Sequence, residues 1–297
     1  MKPEWIAVDW GTSACRAWAI GSTGVVLAET RSDQGMGGLS GDAFEGVLKA
    51  MIAPWGTPSA PIVACGMVGS RQGWAEAPYT VVPCAPEGLS RVEAPAIDTE
   101  LSVTLIGGIK QESPADVMRG EETQIAGFLA QSPNFEGVLC LPGTHTKWVH
   151  VASGEIVSFR TAMTGELFGL LSTESVLRHA MGIGWERGVF ETAIDDALAR
   201  PEALAARLFG VRAESLLNGM SGGAARSRVS GLLIGAELAA MRPYWLGQNV
   251  AVIGETRLAA IYADALALQG LVPGIAAGDE MTRAGLARLR RHLESTG

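Results

Sequence analysis

Trp5-Ile6-Ala7-Val8-Asp9-Trp10-Gly11-Thr12-Ser13 is an apolar, β-prone run that closes on an acid and then turns through glycine and two hydroxyls. A second β-prone run follows at Cys15-Arg16-Ala17-Trp18-Ala19-Ile20, then a turn from Gly21 to Gly24 and a third run from Val25 to Thr30. The pattern recurs at Val138-Leu139-Cys140-Leu141-Pro142-Gly143-Thr144-His145-Thr146, with Lys147-Trp148-Val149-His150-Val151 as its second run. There too a turn, Ser153-Gly154, leads to a third run, Glu155 to Thr161. Glycine lets a backbone come close to an anion, and backbone N–H groups with Thr or Ser hydroxyls are good phosphate donors. Two such hairpins predict two halves of one phosphate clamp. Gly11, Thr12 and Ser13 are the candidate contacts in the first, and Gly143, Thr144 and Thr146 in the second. Ordinary turn hydroxyls are the plain alternative for each.

Composition narrows the class. At 297 residues the chain is long enough for one large or two medium domains with their own cores. With 47% hydrophobic and 18% charged residues it is expected to fold rather than stay disordered. No apolar run approaches the ~20 residues that span a bilayer, and the early strand carrying Asp9 argues against a signal peptide. Cys15, Cys65, Cys84 and Cys140 are scattered without a C-x-x-C pair, so reduced, mostly buried thiols in a cytoplasmic protein are expected. A net charge of −8 argues against a general nucleic-acid binder, which needs a basic face. No G-x-x-x-x-G-K-[ST] stretch occurs, and Gly182-x-Gly184 before Gly188 misses the dinucleotide fingerprint in spacing.

Beyond the first three strands, a Gly-rich loop (Asp33 to Gly41) precedes an amphipathic helix over 42–53, with Asp42 as its N-cap. Ile62 to Cys65 reads as a buried strand ending at Gly66-Met67-Val68-Gly69-Ser70, a turn of the kind that brings backbone to a ligand. Ser102 to Ile106 is another strand. A helix over Glu121 to Ala130 precedes the second hairpin, and 185–240 reads as mostly helical, closing in an apolar helix from Ser230 to Arg242. Val250 to Ile253 is a strand, Gly254-Glu255-Thr256 its turn, and Arg257 to Leu268 the next helix. A strand near 271–276 leads through Gly278-Asp279-Glu280 to a basic helix. This predicts an N-terminal domain over 1–116 and a second over 117–297, with the last helix packing back on the first.

A doubled β-β-β unit with an acid at the end of its first strand resembles the sugar kinase, actin and Hsp70 superfamily. That resemblance implies an α/β architecture of two ribonuclease-H-like domains with an ATP cleft between them. More narrowly, the chain is similar to the 2-dehydro-3-deoxygalactonokinases. The matching stretches are Asp9-Trp10-Gly11, Gly66 to Ser70, Met118-Arg119-Gly120-Glu121-Glu122-Thr123-Gln124, Pro142 to His145 with Lys147-Trp148, Phe159-Arg160-Thr161, Met163-Thr164-Gly165-Glu166-Leu167 and Ser230 to Glu237. The resemblance implies ATP-dependent phosphorylation of the 6-hydroxyl of 2-dehydro-3-deoxy-D-galactonate, in galactonate catabolism. A kinase for another sugar or sugar acid, or a non-catalytic ATP-binding scaffold, are the alternatives. The oligomeric state stays open, a homodimer included.

Within that resemblance Asp9 is the expected Mg²⁺ ligand, since Mg²⁺ takes one or two carboxylates plus phosphate oxygens and water. Lys147 follows the second phosphate turn, and Gly254 and Thr256 belong to the adenosine motif, so all three join the nucleotide set. Arg71, Arg119 and Arg160, each beside a Gly or Thr turn, offer forks for the substrate carboxylate, with Gly69 and Ser70 beside them. Gly120-Glu121 stands where related kinases carry a Gly-acid pair whose carboxylate is the base. Glu121 is therefore preferred over Glu122, and Glu166 is held in reserve. Neighbouring helix residues point about 100° apart, so one glutamate faces the site. His145 is left outside the catalytic set. Domain closure would exclude water from the transfer.

Overall fold

A computed structural model describes residues 3–41, 43–56 and 59–296. The chain divides into two compact units, one drawn from residues 1–136, 151–158 and 278–297 and the other from 137–150 and 159–277.

In the first unit β1 (Trp5–Trp10), β2 (Cys15–Ile20) and β3 (Val26–Ser32) form an antiparallel meander. Helix α1 (Ala43–Ile52) buries Phe44, Val47, Leu48 and Met51, and the Asp42 N-cap expected for it lies outside the described residues. Then come β4 (Ile62–Cys65), β5 (Thr80–Val81), β6 (Arg91–Glu93), β7 (Val103–Ile106), β8 (Ile109–Glu112), β9 (Ala115–Met118) and α2 (Glu121–Gln131). The main sheet runs β3-β2-β1-β4-β7-β6, with β4 parallel to β1 and β7 parallel to β4. A small second sheet, β5-β8-β9, carries a hairpin the sequence reading passed over. Every residue of β4, and every residue of β1 except Asp9, is buried, as a strand covered on both faces requires.

In the second unit the elements are β10 (Gly137–Leu141), β11 (Thr146–Ala152), β12 (Glu155–Ala162), α3 (Thr164–Thr173), α4 (Arg187–Ala199), α5 (Leu204–Leu217), α6 (Gly222–Ala240), α7 (Arg242–Trp245), β13 (Val250–Gly254), α8 (Thr256–Ala267) and β14 (Gly274–Ala277). Their sheet runs β12-β11-β10-β13-β14, with β13 parallel to both β10 and β14. Taken in chain order within each sheet, the first four strands stand third-second-first-fourth in both; beside the fourth lies β7 in the first sheet, with β6 antiparallel at its edge, and β14 in the second. Helix α6 starts earlier than the apolar run suggested. It lies close on α4, where a Cβ at Gly231 or Gly235 would come within 2.5 and 2.6 Å of the Phe190 and Ile194 carbonyls.

The division expected at 116/117 sits differently in the structure. Helix α2 belongs to the first unit, where it lies along the last helix, Gly278–Thr296. Gly127 and Gly285 face backbone of the opposing helix so closely that either would collide if it carried a Cβ. That contact joins residues more than a hundred positions apart, which no local signal reports. Among the described residues no helix is long and apolar enough to cross a membrane, and all four cysteines are buried and free.

Candidate active site

In the first unit the chemistry gathers at one corner of the main sheet. Asp9 pairs across the ladder with Arg16, whose Nη2 lies 2.6 Å from its Oδ2. Arg16 also holds Asp279, at the start of the last helix, through Nη1. Burial pushes the Asp9 carboxyl up and Arg16 draws it back. On the other side β4 ends opposite Asp9, and its chain turns at Gly66 with φ +93°. A Cβ there would stand 2.8 Å from the Trp10 carbonyl and 3.3 Å from Asp9 Oδ1, so only glycine fits. Gly120, also left-handed at φ +108°, brings the start of α2 alongside, where its Cβ would lie 3.5 Å from Gly66 Cα.

The first turn is held from behind. Gly11 N–H donates to the Ala14 carbonyl, and Met36 and Gly37 N–H groups donate to the carbonyls of Gly11 and Thr12, each at 2.9 Å. Thr12 and Ser13 are left exposed.

The two glutamates of α2 diverge, as helical geometry demands. Glu122 is fully buried, and both its oxygens accept the Gly120 N–H at 2.8 and 2.6 Å. Burial, with the neighbouring Glu121 charge, raises its carboxyl to about 7. Glu121 is half-buried, with Oε2 accepting the Arg119 N–H at 3.1 Å.

Arg119 itself is only 8% exposed. Its guanidinium lies over the Tyr79 ring at 4.4 Å, and Nη2 donates to the Ala77 carbonyl at 2.9 Å. Nε and Nη1 have no protein partner, and neither has the buried Ser70 hydroxyl. Gly69 makes the room, since a Cβ there would stand 3.1 Å from Nη1. Unpaired buried donors of this kind are uncommon and mark a place for an acceptor. Arg71 is exposed, and so, in the second unit, is Arg160. The structure thus separates one buried arginine from two surface ones among the three the sequence offered.

The second unit holds a cavity of about 400 Å³. Gly143 and Thr144 of the second turn, Thr164 and Gly165 of α3, and Glu255 and Leu258 at the start of α8 form one side of its lining. Phe168, Trp185, Leu233, Ile234 and Ile261 supply apolar surface, and Arg226 stacks on Phe168 at 5.0 Å. Glu255 caps α8 through the Arg257 and Leu258 N–H groups, both at 3.0 Å, and these bonds lower its carboxyl. The start of α3 rests on the second turn. Glu166 N–H donates to the Thr144 carbonyl at 2.9 Å, and Glu166 Oε2 meets His145 Nε2 at 2.5 Å.

Three expected nucleotide contacts stand elsewhere. Thr146 is fully buried, with its hydroxyl on the Tyr262 hydroxyl at 2.9 Å, because it is the first residue of β11 and points into the core. Lys147 is 5% exposed, and its Nζ donates to Thr161 at 2.9 Å. Gly254 is buried in β13 against Pro142, whereas Thr256, the first residue of α8, is exposed.

A family model described as 2-keto-3-deoxy-galactonokinase matches residues 9–289. The chain belongs to that family. It is 39% identical to a 2-dehydro-3-deoxygalactonokinase of Rhizobium meliloti, over 97% of this chain and 96% of the relative. It is 34% identical to the 2-dehydro-3-deoxygalactonokinase of Escherichia coli, over 96% and 97% of the two chains. A crystal structure assigned as a 2-dehydro-3-deoxygalactonokinase protein from Sinorhizobium meliloti superposes with a TM-score of 0.90 at 37% identity, covering 97% of this chain and 99% of that one. This 2-keto-3-deoxy-galactonokinase family member is an enzyme, a phosphotransferase with an alcohol acceptor, and its two units have the actin-like kinase fold.

In this kinase the sequence reading missed Arg16 and Asp279, and the cavity walls Phe168, Trp185 and Arg226. The Arg16 signal was available, because it is the charged residue facing Asp9 across a two-strand ladder. Phe168 and Arg226 come from helices, and Trp185 from the segment before α4.

Proposed function

We propose that the chain transfers the γ-phosphoryl group of ATP to the 6-hydroxyl of 2-dehydro-3-deoxy-D-galactonate. The observation that supports this substrate is Arg119, a buried guanidinium with two unpartnered nitrogens beside an unpartnered Ser70 hydroxyl. A sugar acid brings the planar carboxylate that such a fork binds. Stacking on Tyr79 and the Ala77 bond fix the fork before substrate arrives, so little ordering remains to be done on binding.

The cavity of the second unit is the proposed nucleotide site. Its apolar walls suit a purine, and Arg226 and the Gly143–Thr144 backbone bring positive charge and N–H donors toward its phosphates. Asp9 is the proposed Mg²⁺ ligand, and a single partly shielded carboxylate fits an ion that takes most of its oxygens from phosphates and water. Such an ion neutralises phosphate charge during transfer. Glu121, half-buried at the start of α2, is the proposed base that accepts the hydroxyl proton, and the helix N-terminus favours its ionised form. Glu122, sealed on the Gly120 N–H, shapes the turn that presents Glu121. Four unpaired buried cysteines fit a reducing, cytoplasmic setting.

The test is Arg119→Met, which keeps length and removes the fork. Losing a charge-assisted contact of this kind costs ~2–5 kcal/mol, so KM for the sugar acid should rise at least about thirtyfold while KM for ATP stays within about twofold. An unchanged sugar-acid KM would remove Arg119 from the substrate site, and Arg71→Ala and Arg160→Ala would be tested next.

A further inference from the structure

One buried carboxylate bonds to two residues that line the proposed nucleotide cavity. Glu237, on α6, is 5% exposed. Its Oε1 accepts the Trp148 indole N–H at 2.7 Å, and its Oε2 accepts the Tyr262 hydroxyl at 2.8 Å. Thr164 and Thr146 hydroxyls also bond to it, and Thr146 meets Tyr262 at 2.9 Å. These donors come from β11, α3 and α8, so Glu237 ties three other elements to its own helix.

The same elements build the cavity. Thr164 and Tyr262 line it directly. Along α6, Ser230, Leu233 and Ile234 line it, and Glu237 follows at the same helical spacing, one turn further on. Gly143 and Thr144 lie in the turn that leads into β11, and Leu258 and Ile261 belong to the same helix as Tyr262.

Burying a carboxylate is costly unless its lone pairs are satisfied, and fixing donors from three elements around one group leaves little freedom in their spacing. Burial pushes this carboxyl up, and bonds from Thr164, Trp148, Tyr262 and Thr146 pull it back, so the donors and the charge depend on each other. A core made only for stability would fill this position with an apolar side chain.

We propose that Glu237 is the positioning residue of the nucleotide site, holding the second phosphate turn and helices α3 and α8 at the spacing that a purine nucleoside triphosphate requires. This rests on the cavity being the nucleotide site. Glu237 touches no substrate. Its loss therefore shows in nucleotide affinity and leaves sugar-acid binding alone, a split that general loosening of the fold would not produce.

The experiment measures the Kd of a non-hydrolysable ATP analogue by calorimetry, with KM for both substrates, in three variants of the full chain. Glu237→Gln keeps shape but replaces an acceptor oxygen by a donor. Its analogue Kd and ATP KM should rise about tenfold, with sugar-acid KM within about twofold. Tyr262→Phe keeps the ring and removes one donor. It should raise the same two constants about threefold, and it serves if Glu237→Gln does not fold. Ser230→Phe fills the cavity itself and should abolish analogue binding.

If Ser230→Phe binds the analogue normally, the cavity is not the nucleotide site and both readings fall. If Ser230→Phe loses binding while Glu237→Gln or Tyr262→Phe keeps wild-type affinity, only the positioning role is overturned. Equal losses for ATP and sugar acid would overturn it as well.

Discussion

The two units share the order of their first four strands, yet their first hairpins are equipped differently. In the first unit the leading strand closes on Asp9, and the surrounding groups are charged: Arg16, Asp279, Glu121 and Arg119 with its two unpartnered nitrogens. In the second unit the corresponding strand closes on Cys140-Leu141, both buried, and its surroundings are a largely apolar cavity over a buried carboxylate. The same topology delivers a turn to the same edge of each sheet. What the turn does is decided by the side chains that other elements bring to it. On the proposed reading, the first unit handles charge and the proton and the second holds the nucleotide.

That division of labour can be broken most sharply at Asp9. Asp9→Asn removes charge and keeps shape, and kcat should fall by ~10³-fold or more, the scale of losing a key electrostatic group. Binding of the ATP analogue in the second unit's cavity should change by less than about threefold. Turnover near wild type at saturating Mg²⁺ would mean that the acid at the end of β1 has no role in transfer.

Glu121→Gln should lower kcat by ~10²-fold with ATP affinity kept, as loss of a general base does. If it stays active while Glu122→Gln is dead, the two glutamates exchange roles. If both stay active, the base is not on α2, and Glu166, which pairs with His145 in the second unit, would blur the contrast between the units.

Glu122 also sharpens the comparison through stability. Its carboxyl is raised from 4.5 to about 7 in the folded chain, so between those values the folded state keeps a proton that the unfolded state releases. Stability therefore falls as pH rises through this window. Relative to Glu122→Gln, the wild type should lose about 2 kcal/mol by about pH 6, at ~1.4 kcal/mol per pH unit. Denaturant unfolding of both proteins from about pH 4.5 to 7.5 measures this, and parallel curves would show that Glu122 titrates normally.

The smallest effect is expected at Glu255, which caps α8 beside the cavity. Glu255→Ala should cost about 1 kcal/mol of stability, the usual value of a lost helix cap. The loss should shrink in acid, because the capped carboxylate is held below its ordinary value and its contribution disappears as pH falls through that lowered pKa. A pH-independent loss would point to lost packing instead of a lost cap.

Much of the fold was legible because its signals are local. The two runs from Trp5 and Val138 alternate between β-prone stretches and glycine turns, and β1, β2, β10 and β11 follow them closely. The helix after Gly120 announces itself through glycine and two acids at its first turn. The site was legible only in part. Gly69, Ser70 and Arg119 were picked out as neighbours of glycine turns, and the structure brings Gly69 against Arg119 and leaves the Ser70 hydroxyl unpartnered. Thr146 carries the same residue type in the same motif as Thr144, yet one hydroxyl is buried on Tyr262 and the other residue lines the cavity. Thr144 lies in the turn before β11 and Thr146 is the first residue of the strand, so the two side chains leave backbone of different direction.

By itself the sequence determined the element types, the repeated hairpin and the acids and arginines available to a kinase, because propensity, turn chemistry and periodicity act over a few residues. Tertiary structure decided which of those groups are buried, paired or left exposed. Burial singled out Arg119 from three arginines and separated Glu121 from Glu122, while pairing tied Asp9 to Arg16 and Asp279. Packing drew Thr146, Trp148, Thr164 and Tyr262 onto Glu237. Desolvation and hydrogen-bond satisfaction depend on every neighbour at once, and those neighbours are assembled from distant parts of the chain.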